Sequence, residues 1–287
     1  MSKIEAVRKM QFYIENHLDE KISLSDLASI SFYSPWYSYR IFMEILMISP
    51  SDYIRRLKLS NSALRLRDEK QKIVDIAYEF GYDSVDGYQR AFFKGFGLNP
   101  YEYSQKPVPL PLFTPFKIYD EKEKKHMSEV RSVFISIEER KARQVIIKRG
   151  INADHYWDYC MEVGCDVWGI LKSIKSLYGE PVSLWLPKKD VKKGTSTYDQ
   201  GVEVDLDYQG IIPEGFEMIE LPQATYLKFQ GEPFAEEDYE EAITALWDAI
   251  KKYNPKSLGY QWDEANPRIQ LEPIGERGYI ELKAIKK

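Results

Sequence analysis

The feature that most constrains this 287-residue chain is a repeat inside its first third. The stretch DLASISFYSPWYSYRIF (26–42) is echoed by DIAYEFGYDSVDGYQRAF (75–92). Asp26 matches Asp75, Ala28 matches Ala77 and Tyr33 matches Tyr82. After one inserted residue, Arg40 matches Arg90 and Phe42 matches Phe92. Both copies close on Pro-x-acid-Tyr, in SPSDY (49–53) and NPYEY (99–103). Self-similarity at a period of about fifty residues means one supersecondary unit used twice. Each copy reads as a short helix, a turn and a second helix, the spacing of a helix-turn-helix. In the second copy Asp83 is expected to cap the helix, because its carboxylate can accept an orphan amide of the first turn. Tyr88, Ala91, Phe92 and Phe96 then share an inward face, while Gln89, Arg90 and Lys94 point outward. Gly97 and Pro100 stop that helix. Between the copies, residues 52–69 form a long periodic helix that buries Tyr53, Leu57, Leu64 and Leu66 and fixes the spacing of the two units.

Charge is spread unevenly. The chain carries a net charge of −5, which by itself argues against nucleic acid. Residues 1–106 hold 15 Lys and Arg against 14 Asp and Glu, whereas residues 107–287 hold 25 against 31. The near-neutral first part has a local basic run of Arg55, Arg56, Lys58, Arg65 and Arg67. Local patches, not the total, decide attraction to phosphates. No apolar run is long enough to span a bilayer, and the N-terminus MSKIEAVRKMQFYIENH has no signal-peptide core, so a cytoplasmic protein without membrane contact is expected. Cys160 and Cys165 sit in an apolar helical run and read as buried reduced thiols. His17, His126 and His155 are scattered. No pattern suggests a metal site, a cofactor or a catalytic triad.

Residues 1–106 resemble the DNA-binding domain of AraC/XylS-type transcription regulators. The segments ISLSDLA, YSPWYSYRIF, SPSDYIRRLKL, IVDIAYEFGYDS, QRAFFKGFG and NPYEY carry the likeness. It implies an all-α domain in which two helix-turn-helix units, joined by a linker helix, read successive major-groove segments of double-stranded promoter DNA. It places Trp36, Tyr39 and Arg40 on the first recognition helix and Val85, Asp86, Gln89 and Arg90 on the second, with Arg55 and Arg56 against phosphates. Arginine can pair with guanine, glutamine with adenine, and valine with the thymine methyl. Met47 stands where the family usually has Gly, so a different turn is expected there. Ser38 replaces an apolar residue, so a weaker core contact is expected. RNA polymerase is a further candidate partner.

Residues 107–127, rich in proline and then in charge, read as a linker. After them the pattern changes. SVFISIEERKARQVIIKRG (132–150) suggests two strands, and HYWDYCMEVGCDVWGILKSIKSLY (155–178) a helical run. SLWLP and STYDQGVEVDLDY read as strands. FEMIELPQATYLKFQG (216–231) then restarts the pattern, followed by a helix over 234–253 and strands near 268–274 and 278–285. Phe134, Ile137, Ala142 and Gly150 align with Phe216, Ile219, Ala224 and Gly231. Two strand-helix-strand-strand units side by side give an α+β domain with a pseudo-twofold cleft. Aromatic walls with an internal carboxylate suit a lipophilic, often cationic, small-molecule effector. The candidates are Trp157, Trp185, Tyr226, Trp262, Tyr279 and, by alternation on the last strand, Glu281.

Residues 128–287 resemble the GyrI-like effector-binding domain of Rob-type regulators, through EGFEMIELPQATYLKFQGE, ITALWDAIKKYNP and PRIQLEPIGERGYIELKAI. Members often have Pro-x-aromatic-Glu where this chain has Pro267-Arg268-Ile269-Gln270, which leaves Glu281 as the pocket carboxylate. The implied protein is a non-enzymatic, effector-responsive transcription regulator. Some stand-alone relatives are implicated in hydrolysis of reactive small molecules. The alternatives are therefore a ligand-sequestering domain, or a hydrolytic one in which Glu281 and a tyrosine act as general base.

Overall fold

The computed structural model describes residues 1–115, 132–235 and 238–287. The chain divides into two compact units, the first described through residue 115 and the second from residue 132.

The first unit is helical. It runs α1 (Lys3–Asn16), α2 (Leu24–Ser31), α3 (Pro35–Leu46), α4 (Pro50–Asp68), α5 (Ile73–Glu79), α6 (Val85–Phe96) and α7 (Pro100–Gln105). Serine caps repeat at the starts of α3 and α6. The Ser34 hydroxyl accepts from the Tyr37 amide, and Ser84 accepts from the Gly87 amide. The cap of α6 is thus Ser84 and not Asp83. The inserted residue of the second copy is Asp83 itself, in the turn before the helix. Within α3 and α6 the two copies are in register, with Arg40 and Arg90 each six residues past the cap serine.

Two cores result. One gathers Val7, Met10, Ile41, Phe42, Tyr53 and Leu57; the other gathers Leu59, Ala63, Leu66, Tyr88, Phe92 and Tyr103. The Pro-x-acid-Tyr endings explain the likeness. Proline opens α4 and α7 at the first helical position, where its missing N–H costs nothing. The tyrosine one turn later is buried against a phenylalanine of the preceding helix, α3 or α6. Ring centroids are 5.3 Å apart for Phe42–Tyr53 and 5.7 Å for Phe92–Tyr103. Helix α4 supplies residues to both cores and so ties them together.

Residues 107–113, expected as linker, pack onto this unit. Leu110 and Leu112 are buried in the second core, Phe113 meets Tyr53 edge-on at 5.2 Å, and the Phe113 amide donates to Ser60. An apolar Leu-x-Leu-Phe run gains more by burial than by spanning solvent. The remainder of the expected linker, 116–127, lies outside the described residues.

The second unit contains one antiparallel sheet with helices. Its elements are β1 (Val133–Arg140), β2 (Arg143–Arg149), α8 (Tyr156–Val163), α9 (Val167–Ser173), β3 (Val182–Trp185), β4 (Tyr198–Val204), β5 (Glu217–Leu221), β6 (Ala224–Gly231), α10 (Tyr239–Lys252), β7 (Gln261–Trp262), β8 (Arg268–Gln270) and β9 (Ile280–Lys286). The strand order is β1-β6-β9-β8-β3-β4-β2-β5, with the short β7 alongside β9. The expected helical run over 155–178 breaks at Gly164, whose φ of 107° suits glycine alone. Cys165 therefore leaves the helix and is exposed, while Cys160 is half-buried; the expectation of two buried thiols fails for Cys165.

One face of the sheet carries the helices. Helices α8 and α9 cover Ile146, Tyr198, Val202 and Val204. Helix α10 covers Leu227, Phe229, Tyr279 and Ile285. The other face packs from strand residues, including Val145, Leu184, Tyr226, Ile269 and Leu282.

Candidate functional site

In the helical unit, α3 and α6 each bury one side and expose the other. Helix α3 buries Ser38, Ile41 and Phe42 and leaves Trp36 and Arg40 exposed and Tyr39 half-buried. Helix α6 buries Tyr88 and Phe92 and leaves Asp86 and Arg90 exposed, with Val85 and Gln89 half-buried. Trp36 is 70% exposed and stacks on Tyr39 at 5.7 Å, a degree of exposure that packing does not explain. Arg40 lies over the Tyr37 ring at 4.9 Å. Arg55 is paired with Asp52 at 2.8 Å, while Arg56 is exposed.

The two expected departures resolve differently from the sequence reading. Met47 adopts the left-handed conformation (φ 54°) that Gly97 adopts at the matching position (φ 72°). Its amide returns to Met43, as that of Gly97 returns to Phe93, so the turn is the same. Ser38 is not a weakened contact. It is fully buried, and its hydroxyl lies 2.6 Å from that of Ser31 and donates to the Ser34 carbonyl. The pair ties α2 to α3 with its polar atoms satisfied.

In the second unit, Glu281 is fully buried on β9. Side chains at paired positions share a face. Glu281 therefore continues a polar row across four strands: Gln200 opposite Ser183, Ser183 opposite Gln270, and Gln270 opposite Glu281. Its carboxylate accepts from Tyr279 Oη at 2.6 Å, Trp247 Nε1 at 2.5 Å and Arg268 Nε at 2.6 Å. Burial pushes this carboxyl above its ordinary value, while Arg268, Tyr279 and Trp247 pull it back down. The Trp247 and Arg268 N–H groups can only donate, so both carboxylate oxygens serve as acceptors.

The Arg268 guanidinium lies over two indoles, 4.4 Å from the Trp185 centroid and 5.4 Å from that of Trp247. Trp185 is itself held by its N–H, which donates to the Asp154 carbonyl at 2.8 Å. The Gln200 side chain is 1% exposed, and neither its amide nitrogen nor its oxygen has a hydrogen-bond partner among the described residues.

Among the expected ligand residues, Glu281, Tyr279 and Trp185 come together here. Tyr226 does not: it pairs with Ala284, one residue out of phase with Glu281, so it lies on the opposite face, where its hydroxyl accepts from Arg143. Trp262 shares the Glu281 face but packs on Phe229 and Tyr253, with Lys283 over its ring at 4.3 Å. Trp157, on α8, is 40% exposed and bonds to Tyr239, the first residue of α10. Sequence reasoning missed Arg268, Trp247 and Gln200 as site residues. The alternation of Arg268 and Gln270 about buried Ile269 was the available signal for the first.

Residues 27–106 match the family described as "Helix-turn-helix domain", and residues 149–272 match that described as "Integron-associated effector binding protein". SoxS, a regulatory protein of Escherichia coli K12, is 31% identical over 106 residues, which are 37% of this chain and 99% of SoxS. The chain belongs to the AraC/XylS-type transcription regulators. Its second unit is of the GyrI-like class. The right origin-binding protein of E. coli K12 is 35% identical to this regulator over 107 residues, and the match spans 37% of each chain. Among solved structures, an AraC-type regulator from Chromobacterium violaceum is 23% identical with TM-score 0.34, covering 36% of this chain and 95% of that one. The DNA-binding domain of AdpA, solved with a target DNA, is 17% identical with TM-score 0.33, covering 37% of this chain and 92% of that one. No helix among the described residues is long and apolar enough to cross a membrane.

Proposed function

We propose that this regulator binds double-stranded promoter DNA through α3 and α6, and that its second unit binds a small lipophilic effector that alters DNA occupancy. The observation that carries the first half is the register of the two helix-turn-helix copies: a capping serine followed six residues later by an arginine on the open face, twice. Trp36, Tyr39 and Arg40 act on one groove segment and Val85, Asp86, Gln89 and Arg90 on the next. Arg56 meets phosphate, joined by Arg55 once it is released from Asp52. The domains implied are 1–106, extended by the docked 107–113, and 128–287.

The second half rests on a duplicated architecture. Exchanging β1 with β5, β2 with β6, β3 with β8 and β4 with β9 turns the strand order into its own reverse. The effector cleft of this reading lies between α8–α9 and α10, along the polar row and beside Trp185 and Trp247. The unpartnered amide of buried Gln200 supports a ligand with a hydrogen-bonding group, since leaving it unmade costs about 1–3 kcal/mol. A carboxylate already engaged by three donors is poorly placed as a general base, which favours binding over hydrolysis.

Ligand can act only by binding two arrangements of the protein with different affinity. The test is genome-wide footprinting of the full chain with and without a panel of lipophilic compounds. Promoter-specific protection that a compound changes is the result expected. Protection without sequence preference would remove the DNA half, and indifference to every compound the effector half.

A further inference from the structure

Cation–π contact and charge pairing are the two forces by which an aromatic cleft with an internal carboxylate holds an organic cation. Both are already satisfied here from within. The Arg268 guanidinium stands 4.4 Å from the Trp185 ring and 5.4 Å from the Trp247 ring. Its Nε and Nη2 both reach Glu281 Oε2, while the other carboxylate oxygen takes Trp247 and Tyr279. Glu281 is fully buried, but the Arg268 side chain keeps 30% of its surface open. The carboxylate therefore lies at the bottom of the site and the guanidinium at its mouth.

We propose that Arg268 is a resident cation that fills the organic-cation slot of this domain, so that a free cation binds only by exchanging with it. The inference rests on the second unit being an effector site and names what that site selects against. Any cation entering must break a charge-assisted pair and two ring contacts before making its own. A neutral lipophile needs no such exchange, and it can use the Gln200 amide along the same row. The sequence basis is a single position: β8 places Arg268 on the face of Glu281 because Gln270, two residues on, pairs with it.

The obvious alternative is that Arg268 is a structural cation with no relation to ligand. The two differ in what happens once it is removed. In Arg268→Ala the carboxylate, the indoles and a guanidinium-shaped space remain. Calorimetric titration of the full chain with methylguanidinium, and with neutral methylurea of the same shape, reads this directly. Wild type should bind neither detectably. Arg268→Ala should bind methylguanidinium at least about tenfold tighter than methylurea, because only the cation restores the pair. Arg268→Ala/Glu281→Gln should lose that preference. Arg268→Gln, which can still donate one hydrogen bond to the carboxylate, is the second variant should alanine fail to fold; it should show the same preference.

Equal affinity of Arg268→Ala (or of Arg268→Gln) for the two probes overturns the proposal, as does wild type binding methylguanidinium as tightly as the variant. Binding of the neutral fluorophore N-phenyl-1-naphthylamine to wild type is read alongside. If it binds while the variants gain no cation preference, the resident-cation inference falls and the effector site stands. If it binds nowhere in the second unit, the lipophilic site falls as well, and with it the role given to Arg268.

Discussion

Met47 ends α3 in a left-handed conformation with 83% of its surface exposed, so packing does not compensate the backbone cost. An L-residue with a Cβ pays about 1–2 kcal/mol there, partly offset by the larger unfolded-state freedom of glycine. Met47→Gly should therefore stabilise the helical unit by about 1 kcal/mol, read as a shift in the denaturant midpoint; a loss of stability would contradict the αL assignment. Asp199 gives a pH prediction. It is fully buried on β4, accepts from the Gly150 amide at 2.9 Å and lies 3.5 Å from Arg149, itself bonded to Glu217. Burial nonetheless pushes its carboxyl up to about 7. Between about pH 4 and that value the folded chain holds a proton that the unfolded chain has released. The stability this supplies is complete below about pH 4 and is lost as pH rises toward 7. Asp199→Asn should flatten that slope, so the gap between wild type and variant should change between pH 5 and 8 by a few kcal/mol; parallel profiles would contradict it. Neither feature was legible in sequence. A methionine at a glycine position suggests a changed turn, and only the backbone reveals that the turn is kept at a cost. An aspartate between Tyr198 and Gln200 alternates like any strand residue. Glu281 was legible, because Tyr279 and Glu281 share a phase that Ile280 and Leu282 do not.

At the scale of elements, periodicity located the helices because α3 and α6 each have a clear inward face. It misplaced the cap of α6, since Asp83 and Ser84 can both cap and the choice depends on the turn from Gly81. It also read 107–113 as linker on its prolines, although Leu110 and Leu112 are buried. Leu110→Ala and Leu112→Ala should each destabilise the helical unit by about 2–3 kcal/mol, as core truncations do. A denaturation curve identical to wild type would show that this strap is undocked in solution. Tyr226 was misassigned for a similar reason: alternation gives the phase of one strand, and only the register with β9 says which phase faces Glu281. Arg268 was passed over because β8 is three residues long, so the alternation of Arg268 and Gln270 about Ile269 is a single period and a weak signal.

At the scale of the whole molecule, the two units match two separate families, and the repeat in the first was visible in the residues themselves. Strand order was not, because β1 pairs with β6 across the sheet and not with its neighbour β2. Limited trypsin digestion should cut first between residues 113 and 132, where the lysine-rich run lies, and leave 107–113 with the helical fragment; a first cut inside α4 or the sheet would contradict the division into two units. On the function proposed above, α3 and α6 read DNA as a pair. Two base preferences about one helical turn apart are then expected, because two recognition helices on one face of B-DNA enter successive major grooves. The direct measurement is selection of binding sites from random duplex DNA with wild type, Arg40→Ala and Arg90→Ala. Wild type should select two blocks about 10 base pairs apart, with Arg40→Ala relaxing one block and Arg90→Ala the other, each at a cost of about 1–3 kcal/mol. Selection of a single block, or of the same two blocks by all three proteins, would contradict the account.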